Sequence, residues 1–485
     1  MLLLRDARLG PADERHDILL RDGRIAAVAP LGTFEAGGAE VVPLGGRFVI
    51  PGLWDEHVHF TQWVIARRRL DLSGTTSAAQ VLDRVRAHLA TTPGPLTGYG
   101  FRDALWPDAP TLAALNAVAP AVPVVLISGD LHCAWLNSPA AALLGVTVGD
   151  TGVLREGPWF DASRDLESGR LITAADYREA ALAAARRGVV GIVDFENADN
   201  IAEWPARVAA GVTQLRVAAS VWPDRLDAAI AAGLRTGAAL DTAGLVTMGP
   251  LKVVVDGSLN TRTALCFDPY PGLDPARPDA CGTSIVPPEE LRGLLEGARS
   301  HGIAAAVHAI GDRANAEVLD VFEALGLPGT IEHAQLVRDR DVARFARLGL
   351  VASVQPEHAM DDRDIAEHHW AGRTGAAFAY GSLHRAGVTL RLGSDAPVAP
   401  LDPWLAIASA TSRSRDDREP WHPEQCLPLA AALAASARGR IAVAAGGPAD
   451  LAVLDRDPAT ATRDELRTMP VAATLVGGAF TWDGR

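Results

Sequence analysis

The chain has 485 residues, 48% of them hydrophobic and 21% charged, which describes a globular protein too long for one simple core. A formal net charge of −14, with arginines dispersed among acids, argues against nucleic acid or an anionic membrane as a partner. Cys133, Cys266, Cys281 and Cys426 stand far apart with no CxxC pair, so neither a thiolate zinc knuckle nor a disulfide framework is expected.

The opening MLLLRDARLG breaks its apolar run at Arg5 and Asp6, too early for a secretory segment. No uncharged apolar stretch approaches the ~20 residues of a spanning helix, so a cytoplasmic location is the expectation. Residues 1–47 alternate short apolar runs with turn residues, and Arg21-Asp22-Gly23 marks a turn between two strands. Residues 448–485 answer with PADLAVLDRDP and VAATLVGGAFTWDGR, again short runs with a Gly-Gly turn. Neither end can bury a core alone. The two are therefore paired as one small β-sandwich domain, residues 1–50 and 445–485.

Residues 51–444 alternate β-branched runs with Ala/Leu/Arg-rich helical stretches. Strands are expected at 48–54, 189–195, 215–221, 251–256, 303–308, 329–333, 350–354 and 388–393. Helices such as 176–187, 288–300 and 312–325 lie between them. Eight strands so spaced describe an α/β fold, a (β/α)8 TIM barrel. A doubly wound open sheet is the alternative, but no GxGxxG follows a strand. The interval from about 65 to 185 is too long for one βα unit. It is expected to hold an insertion after the first barrel strand, with a strand-like PVVLISG at 123–129, lying over the barrel mouth.

The chemistry-bearing residues fall at strand ends. PGLWDEHVHF puts His57 and His59 two residues apart, so that on an extended strand both imidazoles share a face. Of the 45 Lys plus Arg, one is a lysine, Lys252, at the start of the apolar run VVV. Arginine replaces lysine wherever a permanent cation suffices, but not where an amine must lose its proton. A neutral amine there can take up carbon dioxide and become a carbamate able to bridge two metal ions. The alternative is an ammonium paired with Asp256. His308 ends IAAAVH, His333 ends TIEH, and GSDAPV places Asp395 after the last strand. Singly, each histidine reads as a core residue and Asp395 as a turn residue or helix cap. Together they make a ring of four histidines, a lysine and an aspartate at the rim where barrels build their sites. Imidazoles suit zinc and its neighbours, and a carboxylate or carbamate oxygen can bridge. Two ions ~3.5–4 Å apart hold a hydroxide between them, and an aspartate beside it can move its proton.

These motifs resemble the metal-dependent amidohydrolase superfamily, and more narrowly its family-three, YtcJ-like branch, which includes N-substituted formamide deformylases. PGLWDEHVH is similar to that branch's PGLxDxHxH and DGSLNTRTA to its DGSLGSRTA, while HAIGDRA, IEHAQ, GSDAPV and ADLAVLD are also family-like. The resemblance runs nearly end to end. It implies a barrel with a β-sandwich from both termini, and divalent metal, zinc first, as one or two ions. It further implies His57 and His59 on the more buried metal, His308 and His333 on the other, and carbamylated Lys252 between them. Asp395 is then metal-associated and the proton shuttle.

Departures mark the substrate side. Where the branch carries Asp-Gly-His before Trp-x-Asn-Ser, this chain has DLHCAWLNS, with Leu131 in place of the glycine. His132 either lines the pocket and polarises a substrate carbonyl or pairs with Asp130 to hold the insertion. Asn260 replaces the usual glycine after DGSL. Arg262 either binds a substrate carboxylate or pairs with Asp256. Trp54, Trp63, Trp106 and Trp135 are candidates for the wall of an aromatic-tolerant pocket.

The expected activity is hydrolysis of a non-peptide, amide-like C–N bond. A metal-activated hydroxide attacks the carbonyl and Asp395 shuttles the proton. Ester or lactone hydrolysis, deamination, and a non-catalytic metal-binding homologue are the alternatives. The partner expected is a small-molecule substrate, with self-association left open.

Overall fold

The computed structural model describes residues 1–10, 14–35, 37–168 and 172–485; residues 11–13, 36 and 169–171, within the expected terminal domain and insertion, lie outside it. Eight strands pair in parallel and in sequence order. They are β1 (Leu53–Val58), β2 (Val189–Asp194), β3 (Arg216–Val221), β4 (Val246–Val254), β5 (Ala305–Ala309), β6 (Thr330–His333), β7 (Val351–Val354) and β8 (Thr389–Leu392). The ring closes just beyond β8. There Asp395 N donates to His57 O at 2.7 Å and His59 N donates to Ala396 O at 2.8 Å. The closing bonds thus tie His57 to Asp395 and His59 to the next residue, Ala396, through the backbone.

Strand alternation decides which side chains enter the barrel. Leu251 and Val253 of β4 face outward into a core shared with Leu295, Val318 and Phe322 of the covering helices. Lys252, between them, turns inward. The helices read from sequence at 288–300 and 312–325 are Pro288–Ser300 and Asp312–Leu325. Leu291, Leu295 and Ala298 make the buried stripe of the first.

The expected strand 48–54 is two strands. Phe48–Pro51 pairs antiparallel with Leu451–Leu454 in the terminal sheet, and β1 starts only at Leu53. The break is at Gly52, where a Cβ would lie 2.2 Å from a methyl of Val190. Only a residue with no side chain lets the chain leave one sheet and enter the other against β2. The fourth strand likewise begins at Val246, not 251, because Val246 and Met248 are already buried against its neighbours.

Strands from both termini share one branched sheet in which Leu2–Arg8 pairs with Arg15–Arg21, Glu40–Pro43 and Phe48. Their apolar faces meet in one cluster that includes Leu4, Ile18, Val49, Leu451 and Leu475. The Arg21–Gly23 turn is present, with Asp22 and Gly23 at φ 51° and 73°. The insertion folds around its own five-stranded sheet, ordered Val153–Arg155, Cys133–Leu136, Val124–Ser128, Leu96–Phe101, Leu70–Asp71. Leu72, Val81, Phe101, Leu126 and Trp135 form its core. No helix among the described residues is long and apolar enough to cross a membrane.

Candidate metal centre

The six side chains singled out in the sequence meet at the C-terminal end of the barrel. Lys252 Nζ lies 3.3 Å from His57 Nε2, and His57 Nε2 and His59 Nε2 lie 3.4 and 3.3 Å from Asp395 Oδ1. The His333 ring centroid is 4.8 Å from that of His57 and 4.4 Å from that of His308. Ligand atoms of His57, His333 and Asp395 all fall within 4.8 Å of one another.

Local backbone makes this convergence. Ile331 faces the outer core, so alternation turns Glu332 inward and would turn His333 away. His333 instead takes φ 72°, which breaks the alternation and lets consecutive residues share one face. Asp395 does the same at φ 58°. Gly393 allows the close approach of β8 to β1, since a Cβ there would meet His57 N at 2.8 Å.

The donor set fits a divalent cation. His59 Nδ1, His333 Nδ1, His358 Nε2 and Asp395 Oδ1 are buried without a hydrogen-bond partner. Buried polar atoms are almost always satisfied, and nitrogen and carboxylate lone pairs clustered this closely suit zinc and similar ions. Burial, reinforced by Lys252 and the neighbouring imidazoles, holds His57 well below the usual imidazole range; burial and His308 do the same to His333. Both are therefore neutral, as ligands must be. Burial works against ionisation of Asp395, but the His59 imidazole 3.3 Å away and the surrounding rings outweigh it and hold the carboxyl far below its usual range. Burial pulls the Lys252 ammonium down to about 8, against the opposing attraction of Glu332 and Asp395. Its Nζ lies 4.4 Å from the Phe195 ring centroid.

Two residues of the cluster were passed over in the sequence. Glu332, 1% exposed, places Oε2 2.6 Å from His57 Nδ1. His358, from the helix Pro356–Asp361 after β7, places Nε2 3.9 Å from Asp395 Oδ2. Glu332 had a signal: an acid inside an apolar strand, where only a buried partner could satisfy it. His358 had none, because it lies beyond the strand end on a short helix.

Other expectations are corrected. Asp256 pairs with neither Lys252 nor Arg262. Its oxygens accept from the backbone of Leu265, Ile310 and Gly311 at 2.8–3.0 Å, stapling two rim loops. Arg262 is exposed, at φ 60°. Asp130 and His132 are not a side-chain pair: Asp130 accepts from the His132 backbone N–H, and the His132 ring bonds Glu156. Leu131 nevertheless keeps the backbone its glycine counterpart favours, at φ 66°. Trp54 packs on Val190 and Val476 under the Arg438 guanidinium, and Trp135 is in the insertion core, so neither walls a pocket. Trp63 and Trp106 do. They line a cavity of about 940 Å³ between the insertion and the barrel rim, with Tyr99, Pro397 and Val398. The cavity borders the loop after Asp395 but none of the histidines lines it.

The chain is similar to known proteins along nearly its whole length. YtcJ of Bacillus subtilis (strain 168) is 28% identical over 92% of this chain and 90% of its own. The N-substituted formamide deformylase of Arthrobacter pascens is 26% identical, covering 99% of this chain and 98% of its own. An uncharacterized metal-dependent hydrolase from Pyrococcus horikoshii OT3 superposes with a TM-score of 0.78 at 27% identity, over 95% of this chain and 99% of that one. The amidohydrolase family pattern itself matches residues 40–481, and the chain belongs to that family.

Proposed function

We propose that this chain is a metal-dependent hydrolase of a non-peptide, amide-like C–N bond in a small-molecule substrate. The observation that carries the reading is the set of partnerless buried atoms on His59, His333 and Asp395 around a lysine amine 3.3 Å from His57. The name of the Arthrobacter pascens relative supports an amide-like bond.

His57, His59, His308, His333 and Asp395 would hold the metal, with zinc the first candidate. Lys252 would join them as a carbamate: its lone pair, freed by burial, forms an N–C bond to carbon dioxide and the nitrogen loses a proton to solvent. A divalent ion so held would acidify water and polarise a carbonyl oxygen. Asp395, ionised in the presence of its imidazole neighbours, accepts the proton of the attacking water and passes it to the leaving nitrogen. Glu332 fixes the His57 ring by holding Nδ1. His132, half-buried at the seam of insertion and barrel, can donate to the substrate oxygen, while Arg262 at the rim and Trp106 in the cavity would contact the rest of the substrate.

The test is turnover of metal-loaded protein on formamides, other acyl-amines, lactones and aminopurines. Cleavage confined to lactones or aminopurines refutes the amide reading. Lys252→Arg is expected to abolish turnover and lower metal content, and intact mass under mild conditions should show one added carbon dioxide in the wild type alone. Wild-type turnover in Lys252→Arg ends the carbamate reading.

A further inference from the structure

The insertion meets the barrel mouth at one polar seam, and two departures from the family motif lie on it. Leu131 holds a left-handed conformation between Asp130 and His132. Asn260, eight-residue neighbour of Lys252 on the loop leaving β4, is almost fully buried at 8% exposure. Asn260 Nδ2 donates to Asp130 Oδ2 at 2.8 Å, from barrel loop to insertion. The other Asp130 oxygen accepts from Ser128 Oγ at 2.6 Å and from the His132 backbone N–H at 3.2 Å. The His132 ring, through Nδ1, donates to Glu156 Oε2 at 3.0 Å, and Thr263 Oγ1 of the barrel loop donates to Glu156 Oε1 at 3.3 Å. Both carboxylates that touch residue 132 are thus tied in turn to the loop that follows Lys252.

We propose that Asp130, Glu156 and Asn260 are positioning residues that fix His132 as a hydrogen-bond donor at the barrel mouth, through Nε2, for a substrate oxygen that gains negative charge. This rests on the hydrolase reading above. The physical need is plain. His132 belongs to the insertion and not to a barrel strand, so its placement against the barrel loops depends on the bonds that cross the seam. A donor misplaced by about 1 Å loses much of its value. Asn260 supplies the crossing bond that a glycine cannot make, and Glu156 occupies Nδ1, leaving Nε2–H as the remaining donor. Burial works against the imidazolium, but Glu156, Asp130 and the more distant Asp395 raise its pKa above the ordinary histidine value. Burial works against ionisation of Asp130, but the His132 imidazole, the Ser128 hydroxyl and Arg102 together hold its carboxyl below the usual range. The Phe160 ring meets the imidazole edge-on at 5.4 Å and limits its rotation.

The experiment uses metal-loaded full-length protein and three readouts. The His132 ring titration is followed by NMR, assigned by its loss in His132→Gln. In Glu156→Gln, an isosteric change, the midpoint should fall. The alkaline limb of kcat/KM should move to lower pH with it, and kcat/KM should drop about tenfold at neutral pH. In Asn260→Ala, backbone amides 129–133 should exchange with deuterium about tenfold faster while the His132 midpoint falls less than in Glu156→Gln. An unmoved midpoint in Glu156→Gln overturns the positioning claim, and a moved midpoint with an unmoved pH profile overturns the donor role. Unchanged exchange in Asn260→Ala removes Asn260 from the set. If the wild type cleaves no amide, the hydrolase reading fails by itself, while the titration and exchange readouts still decide whether these residues place His132.

Discussion

Glu332 Oε2, 2.6 Å from His57 Nδ1, commits that ring to one tautomer and leaves Nε2 for the centre of the barrel, 3.3 Å from Lys252 Nζ. Glu332→Gln keeps the shape but weakens the bond and is expected to lower metal affinity about 10- to 100-fold, read by competition with a chelator. His369 offers a separate pH test. Burial, aided by His368, lowers its pKa from 6.5 to about 4. The native state therefore binds fewer protons than the unfolded chain between those values, so stability is present above the unfolded pKa and is lost as pH falls toward the folded one. Urea unfolding should show about 2 kcal/mol less stability at pH 5 than at pH 7 from this residue. His369→Gln should remove that share of the slope.

The elements that carry the site are aligned by departures from regular strand geometry. Glu332 and His333 enter one face because His333 sits at φ 72°, and β8 reaches β1 because Gly393 has no side chain. Gly393→Ala puts a carbon 2.8–2.9 Å from His57 N and Cβ. The strand cannot move without losing the ring closure between Asp395 N and His57 O. We expect a loss of about 1–3 kcal/mol in unfolding stability and about tenfold in metal affinity. Calorimetry with and without metal separates the two effects.

The terminal sheet is joined to the whole by charge as well as by chain. Arg216 at the start of β3 holds both oxygens of Asp450, at 2.8 and 3.0 Å, and Asp450 also accepts from Gly477 N at 2.7 Å. Asp450 is 3% exposed, so its removal strands a guanidinium and a backbone donor at the junction. Asp450→Ala should lower unfolding stability by about 3 kcal/mol, measured by denaturant titration, with metal content per folded molecule unchanged. Burial of Trp404 beside Arg187, whose guanidinium reaches Asp402 and the carbonyl of Met469, ties the C-terminal segment to the barrel at a second point.

Much of this was legible before any coordinates. Strand period placed His57, His308 and His333 at strand ends and Lys252 within a strand, and the single lysine drew attention to one amine among 44 arginines. Those are properties of residue type and local spacing, which a linear chain carries in full. Glu332 and His358 were less accessible, because one depends on a partner 275 residues away and the other on a helix turning back over the mouth. The choice among partners for Asp130, Asp256 and Arg262 was likewise undecided until the loops were packed. A carboxylate's chemistry is written in the chain, but which donor desolvates it depends on distances that only folding sets.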